Sequence, residues 1–183
     1  MQANGYVLPN AVSAGEIKTI RQRLGLTQAA FADFFNVSKK TVERWESGKE
    51  KVSGPIVALL CMLEEYPEFE QSMRIPKRTS PLRLWYMYED HVCSILDVEE
   101  SLRKVKVYNF TDNLLYRAFG KDEHPSFEKY EAFLEDRCFP KSRDKMKLQL
   151  EHLGLPFYDP ILIIEKTQGR MAEDRFWIRI ERA

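Results

Sequence analysis

The sequence is poor in the residues that build disulfide frameworks and metal sites, with three cysteines and three histidines among 183 residues. Cys61, Cys93 and Cys138 are odd in number and widely spaced, in runs that read as helix, strand or helix end. They are expected as reduced thiols in a reducing compartment. No C-x2-C pair or H-E-x-x-H run gathers His91, His124 or His152 on one turn or helix face, which excludes the common short-range metal motifs. No window holds the roughly 20 apolar residues of a membrane helix, and MQANGYVLPN lacks the basic head and apolar run of a secretion signal. The expectation is a cytoplasmic protein with no metal, no cofactor and no membrane attachment. Net charge is absent too, since 28 Lys and Arg balance 28 Asp and Glu. Taken as a sum, this argues against a nucleic-acid partner, because phosphate binding is driven by Lys and Arg.

The distribution of charge reverses that argument. Residues 1–60 hold eight Lys or Arg against five acids, a net of +3. Residues 61–70 carry Glu64, Glu65, Glu68 and Glu70 and no base, so the positive field ends abruptly. After residue 70, 20 basic residues face 19 acids. That balance suits protein contacts, in a dimer or with a partner, better than base readout.

Helical signals are dense before residue 66. Ser13 with Glu16 three residues on is a capping box for a helix to about Leu24, with Ile17, Ile20 and Leu24 on one face. Gly25 stops it. Thr27 caps a second helix that turns Phe31, Ala32 and Phe35 inward, and Asn36-Val37 forms the turn, because Asn tolerates a left-handed backbone. Ser38 caps a third helix, Lys39 to Ser47, with Val42 and Trp45 toward the core and Gly48 at its end. Pro55 opens a last apolar segment, Ile56 to Leu63, after at most a short turn around Lys49 to Val52.

Pro67, Pro76 and Pro81 among charged residues mark a linker over 67–81. Beyond it, Arg83 to Glu89, His91 to Val98 and Leu102 to Phe110 read as strands of an antiparallel meander, with alternation clearest in KVKVYNF. Helices are expected over Asn113 to Phe119, Ser126 to Arg137, Ser142 to Leu153 and, from Asp159-Pro160, over ILIIEKT up to Gly169. Phe176 to Ile180 reads as a strand that returns to the sheet. The fold expected is an all-α helix-turn-helix headpiece over 1–66, followed by a small α+β domain with an antiparallel sheet over 82–183.

The spacing from Thr27 to Ser47 suits a groove reader, in which one helix crosses the DNA backbone and the next presents its N-terminal side chains to base edges. Ser38, Lys39, Lys40, Thr41, Glu43 and Arg44 lie on the exposed side of the third helix. Lys39, Lys40 and Arg44 match the guanine O6 and N7 acceptors, while Glu43 is suited to accept from cytosine or to orient Arg44. Thr27 and the Gln28 amide stand where phosphates are held.

Beyond these residues, LTQAAFADFFNVSKKTVERWESGKEKVSGP resembles the Xre/Cro type of helix-turn-helix domain. The matching positions are Leu26, Thr27, Gln28, Phe31, Ala32, Val37, Ser38, Thr41, Val42, Trp45, Glu46 and Gly48. The trailing SGP is closer still to the branch found in MqsA-like and HigA-like antitoxins. That resemblance implies a dimer on a palindromic duplex operator, repression of its own operon, a cognate toxin as protein partner, and DNA contacts by Gln28, Lys39, Lys40 and Arg44. Two positions depart from the pattern: Asn36 replaces the common turn glycine, and Glu50 stands where a basic or small residue is usual.

The second domain leaves several readings open. Arg137 and Arg143 in one cluster, with Arg170 and Arg175 in another, are suited to binding phosphate or an acidic partner, or else form a solvated, locally paired surface. His91 and Cys93 lie two apart on one strand face, as a thiolate–imidazole pair requires, but no third residue orients the imidazole. A core thiol beside an edge histidine is the plainer account. The domain is expected to dimerise, capture a partner, or both. An alternative is a regulator of a phage or mobile element whose second domain inhibits another protein; an enzyme with a DNA-binding headpiece is the remaining rival.

Overall fold

The computed structural model describes residues 5–141 and 145–183. The chain divides into two compact units, the first ending at Ile75 and the second starting at Pro76. Among the described residues no helix is long and apolar enough to cross a membrane.

The first unit is built on local caps. In α1 (Ala14–Arg23), Glu16 N–H donates to Ser13 Oγ and Ser13 N–H donates back to the Glu16 carboxylate at 2.6 Å. Thr27 accepts from Ala30 N–H at the head of α2 (Gln28–Phe34), and Ser38 accepts from Thr41 N–H at the head of α3 (Lys39–Ser47). Each cap satisfies a backbone donor that has no partner inside its helix. Asn36 adopts φ 52° in the turn between α2 and α3. Gly48 ends α3 for a different reason from the one the sequence suggests. Its φ is −69°, but an added Cβ would stand 3.0 Å from the Arg44 carbonyl. Close approach, not left-handed backbone, demands glycine there.

Ile17, Ile20, Phe31, Ala32 and Val42 pack with Val57, Leu60 and Leu63 of α4 (Pro55–Glu65) into one core. Phe35 bridges Phe31, at 4.6 Å between ring centroids, and Trp45, at 6.2 Å edge-on, and so fixes α3 against α2. Two features escape the sequence reading. Val52–Ser53 is a short strand, β2, paired antiparallel with β1 (Ala11–Val12), in place of the short turn expected around Lys49 to Val52. The pairing partners lie some forty residues apart, so no local periodicity announces them. Within the stretch expected as a linker, Glu68–Ser72 form α5, which packs Phe69 on this core and buries Glu70 against Arg74.

The second unit is a four-stranded antiparallel sheet of order β5-β4-β3-β6, formed by β3 (Leu82–Tyr88), β4 (His91–Glu99), β5 (Lys104–Asn109) and β6 (Phe176–Arg182). Leu82, Leu84, Tyr86, Leu96, Val98 and Ile178 join one core with Tyr130, Phe133 and Leu134 of α6 (Phe127–Asp136), Leu150 of α7 (Met146–Leu153), and Ile163 and Ile164 of α8 (Pro160–Thr167). Ser126 and Asp159 cap α6 and α8. The helix expected from Ser142 begins, within the described residues, at Met146; Ser142 to Asp144 lie outside them.

No helix forms over Asn113 to Phe119. Leu115 N–H donates to Asn113 Oδ1 at 3.1 Å, Asn113 N–H to Thr111 Oγ1, and Arg117 Nε to the Thr111 carbonyl at 2.7 Å. These side chains hold the backbone in successive turns, the usual way Asn and Thr compete with a helix. Leu115 is left exposed while Tyr116, Ala118 and Phe119 reach the core.

Across the sheet, Arg83 and Asp97 form a two-pronged pair at 2.6 and 2.8 Å, with both side chains almost wholly buried. Arg83 also donates to the Pro76 carbonyl, and Asp97 accepts from Thr79 N–H. The pair thereby pins the segment leading into β3 onto the sheet.

Candidate nucleic-acid interface

The exposed side of α3 depends on what lies behind it. Val42 is fully buried, Trp45 is half-buried against Phe35, and at the next turn Glu46 points inward with its side chain 5% exposed. Arg21 of α1 grips the Glu46 carboxylate through Nε at 2.6 Å and Nη2 at 3.0 Å, and its Nη1 donates to the Leu26 carbonyl. Gln28 Nε2 donates to the same carboxylate at 2.9 Å. One carboxylate thus ties α1, α2 and α3 together. Burial pushes the Glu46 carboxyl up, yet the bonds from Arg21 and Gln28 outweigh burial and hold it below its ordinary value.

That direction sets a pH dependence. A depressed carboxylate stabilises fully above its unfolded value near 4.5 and loses the contribution as pH falls through the lower folded value. Headpiece stability in urea titrations should be flat across neutral pH and decline below about 4.5. The margin of the wild type over Glu46→Gln should shrink in step; a margin that stays constant into acid would exclude this role for Glu46.

Lys39, Lys40, Glu43 and Arg44 are all exposed on the outward side of α3. Lys39 pairs with Glu43 at 3.3 Å one turn on, so Glu43 engages Lys39 here and not Arg44. Lys40 and Arg44 make no ion pair or side-chain hydrogen bond among the described residues. The hydroxyls of Ser38 and Thr41 lie 2.9 Å apart at the head of the helix. Thr27 and Gln28 sit at the start of α2, with one amide N–H of Gln28 already engaged by Glu46. Arg21–Glu46 is not legible in the sequence, because a pair 25 residues apart leaves no periodic trace.

The family comparison falls on this unit. Residues 2–74 match the model for the antitoxin component of a bacterial toxin-antitoxin system, MqsA. The N-terminal segment is antitoxin-like. It is also similar to "Antitoxin HigA-2" of Vibrio cholerae serotype O1 (strain ATCC 39315 / El Tor Inaba N16961), 33% identical over 57 residues, which are 31% of this chain and 55% of that protein. The chain therefore spans about half the length of this relative. The family match ends before the second unit begins.

In the second unit the expected arginine sites separate. Arg137 is buried: Nε and Nη2 donate to the Gly169 carbonyl, Nη2 to the Phe176 carbonyl, and both terminal nitrogens to Asp174. It fastens the end of α6 to the loop before β6, so the surface role expected of it is not where the structure places it. Arg143 lies outside the described residues. Arg170 is exposed over the Trp177 ring at 4.9 Å, and Arg175 pairs with Glu89 at the surface. His91 is exposed, whereas Cys93 is buried, hydrogen-bonded to the His91 carbonyl, and pushed up by burial. A thiol held protonated in this way is a core side chain, not an activated nucleophile. Among the described residues no group of three or more His, Cys, Asp or Glu is placed to hold a metal ion.

Proposed function

We propose that this protein is a sequence-specific DNA-binding repressor in the cytoplasm that acts as a homodimer on a palindromic duplex operator and controls its own operon. In this reading it is the antitoxin of a toxin-antitoxin pair. The observation that carries the reading is the surface of α3, where Lys40 and Arg44 stand exposed and, among the described residues, unpaired on a helix locked from behind by Glu46, Arg21 and Phe35. A rigid helix with free donors on its outer face is what base readout requires. Lys39, Lys40 and Arg44 read guanine edges, Glu43 orients Lys39, and Ser38 and Thr41 contact the opening of the half-site. Thr27 and Gln28 lie against the phosphate backbone. Two headpieces related by a two-fold axis reach half-sites about 34 Å apart. The second unit supplies dimer and toxin contacts, with Arg170 and Arg175 as its exposed cations.

Arg44→Ala tests the assignment. The change removes an exposed side chain and no cap, so stability should move by no more than about 0.5 kcal/mol. Operator affinity should fall by about 1–3 kcal/mol, with preference flattened at one base pair in each half-site. Lys18→Ala, at an exposed position on α1, should leave base preference untouched. Titration of both variants against every single-base variant of one half-site at fixed salt provides the readout. If Arg44→Ala retains wild-type preference at every position, α3 is not the base reader.

A further inference from the structure

The homodimer of the proposed function needs an interface, and the two edges of the sheet differ in whether they offer one. The β6 edge is occupied from within the chain along its first half. Ile178 N–H donates outward to the Gln168 carbonyl at 2.7 Å, and the outward Phe176 carbonyl accepts from Arg137 at 2.9 Å. A strand cannot add there without displacing both contacts.

The β5 edge is different. Phe110 N–H donates to the Cys93 carbonyl, and the register pairs Tyr108 with Ile95 and Lys106 with Asp97. In an antiparallel ladder only alternate residues bond to a given neighbour. Lys104, Lys106 and Tyr108 therefore face β4, while the N–H and C=O groups of Val105, Val107 and Asn109 point away from it. Among the described residues those outward groups have no hydrogen-bond partner.

The geometry points to β5 pairing antiparallel with β5 of a second copy, about a two-fold axis at Val107, to continue the sheet across the dimer. Charge excludes the neighbouring register at Lys106, and complete pairing of the outward groups selects the one at Val107. An axis at Lys106 would set two like charges directly opposite each other, which destabilises a strand pair. An axis at Val107 places Val105 opposite Asn109 of the other copy, Lys106 opposite its Tyr108, and Lys104 opposite its Phe110. Every lysine of the strand then faces an aromatic ring, the contact Lys106 already makes in-chain with Tyr108 at 4.9 Å. Lysines on an edge strand usually discourage pairing; here they discourage every register that sets them against each other. The outward backbone groups of Val105, Val107 and Asn109 are all satisfied in the pair.

The proposal rests on the homodimer reading, and its test separates the two. Light scattering on the full chain should give twice its 21.6 kDa mass. Val107→Pro removes an N–H that β4 does not use, so it should halve the mass and leave the thermal transition of the second unit in place. Val107→Cys, mildly oxidised, should form a disulfide between the two substituted positions, since facing residues of a hydrogen-bonded pair lie about 5.5 Å apart at Cα, within disulfide reach. Val105→Cys, which faces Asn109 of the other copy, should not. This arm decides the matter should the proline variant fail to fold. A dimeric wild type with no link through Val107→Cys, or with equal linking through Val105→Cys, would place the interface elsewhere and spare the homodimer. A wild type of single-chain mass both free and on its operator would overturn both.

Discussion

Glu46→Ala should cost the headpiece about 3–5 kcal/mol, the usual penalty for removing one partner of a buried ion pair. The Arg21 guanidinium, with its side chain 11% exposed, would lose both carboxylate bonds and keep only the Leu26 carbonyl, and Gln28 would lose its acceptor. Because a small domain is stable by only about 5–15 kcal/mol, a loss of this size leaves the headpiece marginal. Hydrogen exchange read peptide by peptide on the full chain should show protection falling across 14–63 while the second unit is unchanged. DNA affinity should fall for all sequences alike, in contrast to the position-specific loss expected of Arg44→Ala. The double variant Arg21→Met/Glu46→Leu should recover most of the stability, since an apolar pair of similar volume often replaces a buried ion pair without loss. A single-variant loss below about 1 kcal/mol would show that the pair is a bystander.

Asp97→Ala should have an effect as large in the second unit. Arg83 is buried at the middle of the sheet, and without Asp97 it keeps only the Pro76 carbonyl among its hydrogen bonds. The expected cost is again about 3–5 kcal/mol, with exchange rising in β3 and β4 and in residues 76–81, whose Thr79 donates to the same carboxylate. The headpiece transition should not move. Should 76–81 stay protected while the sheet loosens, the pair would stabilise the strands without pinning the segment that precedes them.

Both pairs show where a sequence stops being informative. Ser13, Thr27 and Ser38 were readable as helix caps because a cap acts on a backbone N–H three residues away. Asn36 was readable because its conformation is a property of the residue itself. Asn113 to Phe119 failed as a helix because Thr111, Asn113 and Arg117 bind backbone in competition with it, a contest that apolar periodicity does not register. Arg137 was misplaced for a related reason. Its neighbours in sequence are charged and polar, but its partners Gly169, Asp174 and Phe176 lie more than thirty residues on.

The sequence by itself determined several elements and their faces: the helix-turn-helix spacing, the exposed Lys39 to Arg44 surface, the meander, and the returning strand from Phe176 to Ile180. All of these follow from interactions within a few residues, or from a period of 2.0 or 3.6. Only the tertiary structure decided which charges are spent inside the molecule and which remain free. Arg21, Arg83 and Arg137 are consumed by carboxylates and carbonyls far along the chain, whereas Lys40 and Arg44 have no such partner among the described residues. It also decided which sheet edge is blocked, since the first half of β6 is engaged by residues from the ends of α6 and α8. Burial is the physical reason. Outside water an arginine must find acceptors wherever the fold brings them, and that meeting is a property of topology, not of neighbouring residues.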